Sequence, residues 1–296
     1  MAVTIDDLPA VCTCKSEAWS ELTAGLLSAL QKRAVPAIGF VNEGKLFRRR
    51  GEVAPEKPDV ARVELLERWL DAGHELGNHS FSHPDLHTTA LAEFQQDVLR
   101  GETVTRRLLA DREPAANATL RYFRHPYLRT GRTLETKRQF ESFLAERGYR
   151  VAPVSIDNAE WIYARAFDVA LDTDRAQLAR EVSTAYLDYM IRQTEYFEGQ
   201  SRKLLGRELR QVLLLHANRL NAAVLGDLLD RLAERGYRFV PLAEALEDEA
   251  YRRLDEYTGS AGISWLQRWA WAEGHRGDWF GGEPEVDGWV RELSGL

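Results

Sequence analysis

Cysteine is nearly absent from this chain: there are two, Cys12 and Cys14, with one residue between them. That spacing suits a disulfide poorly and supplies too few ligands for a zinc ribbon, so two free thiols in a loop are expected. Long apolar runs are missing too. No stretch near 18 residues is apolar, which excludes a membrane-spanning helix. Positive charge is not concentrated: 39 Lys and Arg against 46 Asp and Glu leave a net charge of −7. With the basic residues scattered, no nucleic-acid partner is expected. The first turn, IDDLPAVCTC, carries no GxGxxG, which disfavours a dinucleotide site. Internal repeats, low-complexity linkers and a secretory leader are also lacking, since AVTIDD reads as a strand almost from Met1.

What is present is a strict alternation. Short apolar or β-branched runs at 2–5, 35–40, 74–78, 120–124, 149–156, 211–215 and 237–241 read as strands. Amphipathic patterns near 17–33, 60–72, 89–110, 133–147, 175–200 and 221–235 read as helices. Glycines in AGH and RGY close three of these helices. Such alternation predicts a parallel sheet covered by helices, either open or closed into a barrel. The segment 162–210 is long for one crossover and is expected to carry two helices. Its tyrosines read as packing on the barrel wall, with a substrate-groove wall or a dimer contact as the functional reading. Residues 254–296 form a tail with five of the eight tryptophans, expected to pack as part of the same domain as 1–253.

Three histidines fall within ELGNHSFSHPDLH. His79 and His83 stand four apart, one helical turn, so their imidazoles can converge on one point. Either they hold a metal or histidines have collected in a polar loop. A metal would need a further carboxylate or thiolate from elsewhere. Polar clusters recur at the ends of the proposed strands: Asp6-Asp7, then His79 and His83, then Arg124-His125-Pro126-Tyr127, then Asp157 with Glu160-Trp161, and His216. Singly these are turns, caps or core histidines. Together they gather polar groups at one end of five strands, which favours a closed barrel.

The ordered set TIDDLP, HSFSH, RHPY, DNAEW and LLLH resembles the polysaccharide deacetylases, carbohydrate esterase family 4 with its NodB-type domain. The resemblance spans about residues 3 to 218. It implies a distorted (β/α)7 barrel and one divalent metal, Zn2+ or else Co2+, held by Asp7, His79 and His83. It implies Asp6 as the base, Arg124 holding Asp6 ionised, and His216 as the acid that protonates the departing amine. It gives the backbone N–H of Tyr127 to the oxyanion, and Leu214 and Trp161 to the pocket for the acetyl methyl. Three departures stand out. Leu8 replaces the glycine after the aspartate pair; Glu160 takes the place of the aspartate that tunes the acid, with Asp157 able to share that task; and Leu128 follows Tyr127 where glycine is frequent.

The expected function is therefore a metal-dependent N-deacetylase acting on an acetylated carbohydrate. The alternatives are a metal-free cyclic-amide hydrolase of the allantoinase type, or a non-catalytic carbohydrate-binding protein that uses the tryptophans of the tail. The family mostly works outside the cytoplasm, which implies an extracytoplasmic protein with its leader trimmed, while free thiols would point the other way. Oligomeric state has no signal in the sequence.

Overall fold

The computed structural model describes residues 1–12, 14–47, 57–112 and 119–296. Six parallel strands make one sheet: β1 (Ala2–Leu8), β2 (Ala37–Val41), β3 (Glu75–Asn78), β4 (Tyr122–Phe123), β5 (Arg150–Val151) and β6 (Val212–His216). Their spatial order is β5-β4-β3-β2-β1-β6. β1 lies between β2 and β6, with Ile5 opposite Gly39 on one side and Leu215 on the other. The strands are apolar on both faces because both faces are covered, and β2 is buried at all of its positions. The two edge strands curl toward each other. Beyond β5 the chain reaches β6 through a bridge between Ile156 and Leu213, where the Ile156 N–H donates to the Val212 carbonyl at 3.0 Å. The result is a curled parallel sheet ringed by helices, the α/β barrel architecture that the sequence implies.

The run 237–241 is not a seventh strand. The Val240 N–H donates to the Met1 carbonyl at 3.0 Å and the Met1 ammonium to Arg238 O at 2.7 Å, contacts at the head of β1 that form no ladder. Pro241 follows and has no N–H to extend a ladder.

The helices are α1 (Trp19–Gln31), α2 (Val60–Asp71), α3 (Leu91–Arg100), α4 (Thr103–Ala110), α5 (Leu134–Glu146), α6 (Glu160–Asp172), α7 (Ala176–Leu205), α8 (Arg219–Glu234), α9 (Leu242–Ala245), α10 (Trp265–Ala272) and α11 (Gly288–Ser294). Asp59, Thr133 and Asn218 cap α2, α5 and α8 by accepting a main-chain N–H. Gly73, Gly148 and Gly236, just past those same helices, have φ of 80°, 75° and 98°, as the AGH and RGY patterns lead one to expect. The long segment after β5 holds α6 and α7. Tyr163, Tyr186, Tyr189 and Phe197 are buried there, and the Tyr163 ring lies 5.0 Å from that of Tyr189. In the tail, α10 buries Trp265 and Trp269, and the Trp265 N–H donates to Val154 O at 2.7 Å. Trp289 on α11 is exposed.

Cys12 and Cys14 form a disulfide, against the expectation of free thiols. Their Cα atoms are 5.2 Å apart, well inside the span a disulfide bridges.

Candidate active site

Successive residues of a strand point to opposite faces, so Asp6 and Asp7 should not meet in one cavity. A bulge brings them together. β1 advances three residues from Ile5 to Leu8 while β2 advances two, from Gly39 to Val41. Asp7 takes up the extra residue with φ of 70°. Leu8, where the resemblance has glycine, follows the bulge and is fully buried.

His79 and His83 converge without a helix. They follow β3 in a loop in which Ser80 and His83 are left-handed, with φ of 66° and 59°. Side chains hold that loop in shape. Asn78 Oδ1 accepts the Ser80 N–H at 2.7 Å, Asp97 Oδ1 accepts those of Phe81 and Ser82, and Ser80 Oγ accepts that of His83 at 3.1 Å. Left-handed non-glycine residues typically cost about 1–3 kcal/mol each and persist where surroundings over-determine them. The ring centroids of His79 and His83 are 4.8 Å apart, and His83 Nε2 is 3.9 Å from Asp7 Oδ1. One ligand atom from each of Asp7, His79 and His83 lies within 4.8 Å of the others.

This donor set fits a divalent ion: one carboxylate and two imidazoles, with room for further ligands. His79 Nδ1 faces the Arg124 carbonyl at 2.8 Å, so that nitrogen carries the hydrogen and Nε2 is left as donor to an ion. Burial lowers the pKa of both imidazoles and keeps them neutral, the form that binds metal. Burial would raise Asp7, but Lys45 and the two histidines outweigh it and hold the carboxyl below the ordinary range. Lys45, which sequence reasoning missed, has its Nζ 3.2 Å from Asp7 Oδ1. Its NEGK cluster follows β2 at the same end as the other clusters, so the strand-end pattern held the signal. His87, the third histidine of the motif, stands apart, its N–H donating to Asp85 at 2.8 Å.

Asp6 is buried, with Oδ2 3.7 Å from both His79 Nε2 and Arg124 Nη1. Burial lifts its carboxyl to about 6, and Arg124 only partly opposes this. Arg124 thus favours the ionised form of Asp6, and desolvation exceeds that attraction. Arg124 itself is fully buried, donates from Nη2 to Thr4 Oγ1 at 3.0 Å, and lies 4.7 Å over the Phe40 ring. After β4, Tyr127 and Leu128 are left-handed, and the half-exposed Tyr127 ring packs 4.5 Å from that of His83.

His216 is the register partner of Asp6 across β1 and β6. Its Nδ1 lies 2.9 Å from Glu160 Oε2. Glu160 Oε1 accepts from Asn218 at 2.6 Å and from Asn221, two residues the sequence reading did not single out. Burial disfavours the imidazolium, but Glu160 prevails and raises the His216 pKa to about 9. Among the described residues Asp157 makes no hydrogen bond to His216; its Oδ1 accepts the Asn158 N–H at 2.8 Å, and burial raises it to about 7. The tuning contact therefore belongs to Glu160.

Asp6, Asp7, His79, His83, Tyr127 and His216 line one cavity of about 780 Å³, with Arg124, Glu160 and Lys45 behind its wall. Leu214 and the half-exposed Trp161 form part of its apolar wall, and Arg165, Val11 and Cys12 stand on its border. A cavity of this size, apolar but with a few convergent polar groups, suits a sugar-sized ligand.

Residues 1–143 match the family model for polysaccharide deacetylase. Over 161 residues the chain is 26% identical to a peptidoglycan-N-acetylglucosamine deacetylase of Bacillus cereus, covering 54% of this chain and 46% of that protein. Over 140 residues it is 31% identical to a chitooligosaccharide deacetylase of Bradyrhizobium, covering 47% of this chain and 52% of that one. The chain thus spans about half the length of these curated relatives. Among solved structures, a peptidoglycan N-acetylglucosamine deacetylase in complex with 4-naphthalen-1-yl-N-oxidanyl-benzamide shares the fold, with a TM-score of 0.51 and 18% identity over 83% of this chain and 87% of that one.

Proposed function

Taking membership of the polysaccharide deacetylases, carbohydrate esterase family 4, as premise, we propose that this chain hydrolyses the acetamido group of an N-acetylated carbohydrate and releases acetate. The observation that carries this reading is the convergence of Asp7, His79 and His83 in one cavity with the Asp6–His216 pair. Asp7, His79 and His83 would hold a divalent ion, zinc by its preference for such ligands. When bound, such an ion polarises the acetyl carbonyl and brings a water near neutral pKa.

The chain's own residues do the rest. Asp6 accepts the proton of the attacking water, with Arg124 partly offsetting the burial that disfavours its ionised form. The main-chain N–H of Tyr127 meets the developing oxyanion. An amine leaves as a very strong base unless it is protonated, so His216 delivers a proton to the nitrogen as the C–N bond breaks. Glu160, bonded to Nδ1, fixes the ring so that Nε2 carries the hydrogen toward the substrate. Leu214 and Trp161 enclose the acetyl methyl. The disulfide fits an oxidising compartment, consistent with work on an extracytoplasmic polymer.

The test is an acetate-release screen over N-acetylated oligosaccharides and cell-wall fragments, before and after chelation. Release should stop when the protein is stripped and return with zinc or cobalt. Full release by a demonstrably metal-free preparation would overturn the reading and favour the cyclic-amide hydrolases, while sugar binding without release by loaded protein would favour a non-catalytic binder.

A further inference from the structure

Tyr127 and Leu128 are consecutive left-handed residues, φ 56° and 52°, and neither is glycine. A turn of this kind relaxes unless its neighbours forbid it. The neighbours here come from the far end of the chain. Arg268 of α10, 1% exposed, donates from Nη2 to the Leu128 carbonyl and from Nη1 to Thr130 Oγ1 at 3.0 Å. Its Nε donates to Ile263 O at 3.0 Å, and its guanidinium lies 4.5 Å over Trp265 and 5.1 Å over Tyr257. Asp255 neutralises it at 3.2 Å and is itself gripped by the buried Lys137 at 2.5 Å. Gly262 packs against the same turn. A Cβ added there would stand 1.8 Å from the Tyr127 carbonyl oxygen and 3.2 Å from Leu128 Cβ, so that only glycine fits. The frame behind both residues is firm, because α10 begins with a complete capping box and the Trp265 bond to Val154.

We propose that Arg268 and Gly262 of the tail are positioning residues that clamp the Tyr127–Leu128 turn in its left-handed form. On the reading above, this turn presents the main-chain donor for the oxyanion; the clamp thus rests on that reading for its catalytic consequence, though not for its existence. The tail then acts on the reaction through the backbone of another segment, without touching substrate. It also explains how leucine stands at a left-handed position that glycine would take freely: the carbonyl it exposes is tied down from outside.

The experiment compares wild type with Arg268→Ala, Gly262→Ala and Arg268→Ala combined with Leu128→Gly. Amide hydrogen exchange, metal content, and kcat and KM for acetate release are measured on each. In Arg268→Ala and in Gly262→Ala, amides of 126–131 should exchange about tenfold faster or more, with β1 and β6 unchanged and metal retained. The kcat of either should fall by about 10²-fold with KM within about threefold, as expected when a transition-state donor is misplaced by about 1 Å. Adding Leu128→Gly should recover about tenfold in kcat, since glycine adopts the turn without restraint. Should Arg268→Ala fail to fold, Gly262→Ala carries the test, because it leaves the Arg268–Asp255 pair intact. Unchanged exchange at 126–131 in the variants that fold overturns the clamp. So does a loss that Leu128→Gly does not restore, with exchange raised throughout the barrel, because Arg268 would then be merely structural. A wild type that releases no acetate from any substrate overturns the deacetylase reading instead, and the exchange data alone then decide the clamp.

Discussion

On the β6 side of the cavity both oxygens of Glu160 are occupied, by His216, Asn218 and Asn221. On the β1 side, Asp6 Oδ1 and Arg124 Nε and Nη1 are buried without a hydrogen-bond partner among the described residues. Leaving such an atom unpaired typically costs about 1–3 kcal/mol, more for charged groups. The contrast separates two kinds of preparation. The β6 side is saturated, which fixes the orientation of the His216 ring. On the β1 side the described residues of the protein do not themselves satisfy these atoms.

The harshest way to break this contrast is on the β1 side. Asp6→Asn should lower turnover by about 10³-fold on amide and ester alike, within the range for a general base, while metal analysis finds the ion retained. Asp7→Asn should lose the ion as well as the activity. Equal metal content in the two variants would erase the division of roles between neighbouring carboxylates.

On the saturated side the loss should depend on the leaving group. His216→Ala should cost about 10²-fold or more on an N-acetyl sugar and less than about tenfold on an acetylated nitrophenol, whose leaving group needs no proton. Equal losses on the two substrates, with metal bound, would show that His216 is not the acid.

A gentler probe sharpens the comparison. Glu160 raises the folded-state pKa of His216 from 6.5 to about 9. The stabilising pair is therefore complete below about 6.5 and is lost as pH rises through about 9. In Glu160→Gln the alkaline limb of the amide rate should move down toward 6.5, with the acidic limb in place. An unmoved alkaline limb in a rate–pH profile would break the link between the pair and the chemistry. The smallest effect should come from His87→Ala. Its side chain lies outside the Asp7–His79–His83 cluster, so metal content by elemental analysis should stay the same.

What the sequence made legible followed from periodicity and order. Six of the seven strand runs, the three glycine-closed helices and the polar clusters at strand ends survive in the structure. The strand 237–241 did not, because an apolar run bounded by proline can lie beside a sheet without joining its ladder. The histidine spacing matched a helical turn, yet loop geometry with two left-handed residues brings the rings together. Nothing local announces the bulge that turns Asp6 and Asp7 into one cavity, since a bulge is defined by the partner strand. Arg268 was invisible for the same reason: its importance lies in a contact made 140 residues away. The disulfide was misjudged because two cysteines that close in sequence bridge only when the chain bends.

β1 has one neighbour from early in the chain, β2, and one from late, β6. A chain emerging from a ribosome therefore has all of Asp7, His79 and His83 available long before His216 is made. Until then β1 keeps a bare edge along its outer side. The pairing that covers this edge is also the one that sets His216 opposite Asp6. On the roles proposed above, the pairing that completes the sheet is also the one that brings the proton donor to the base.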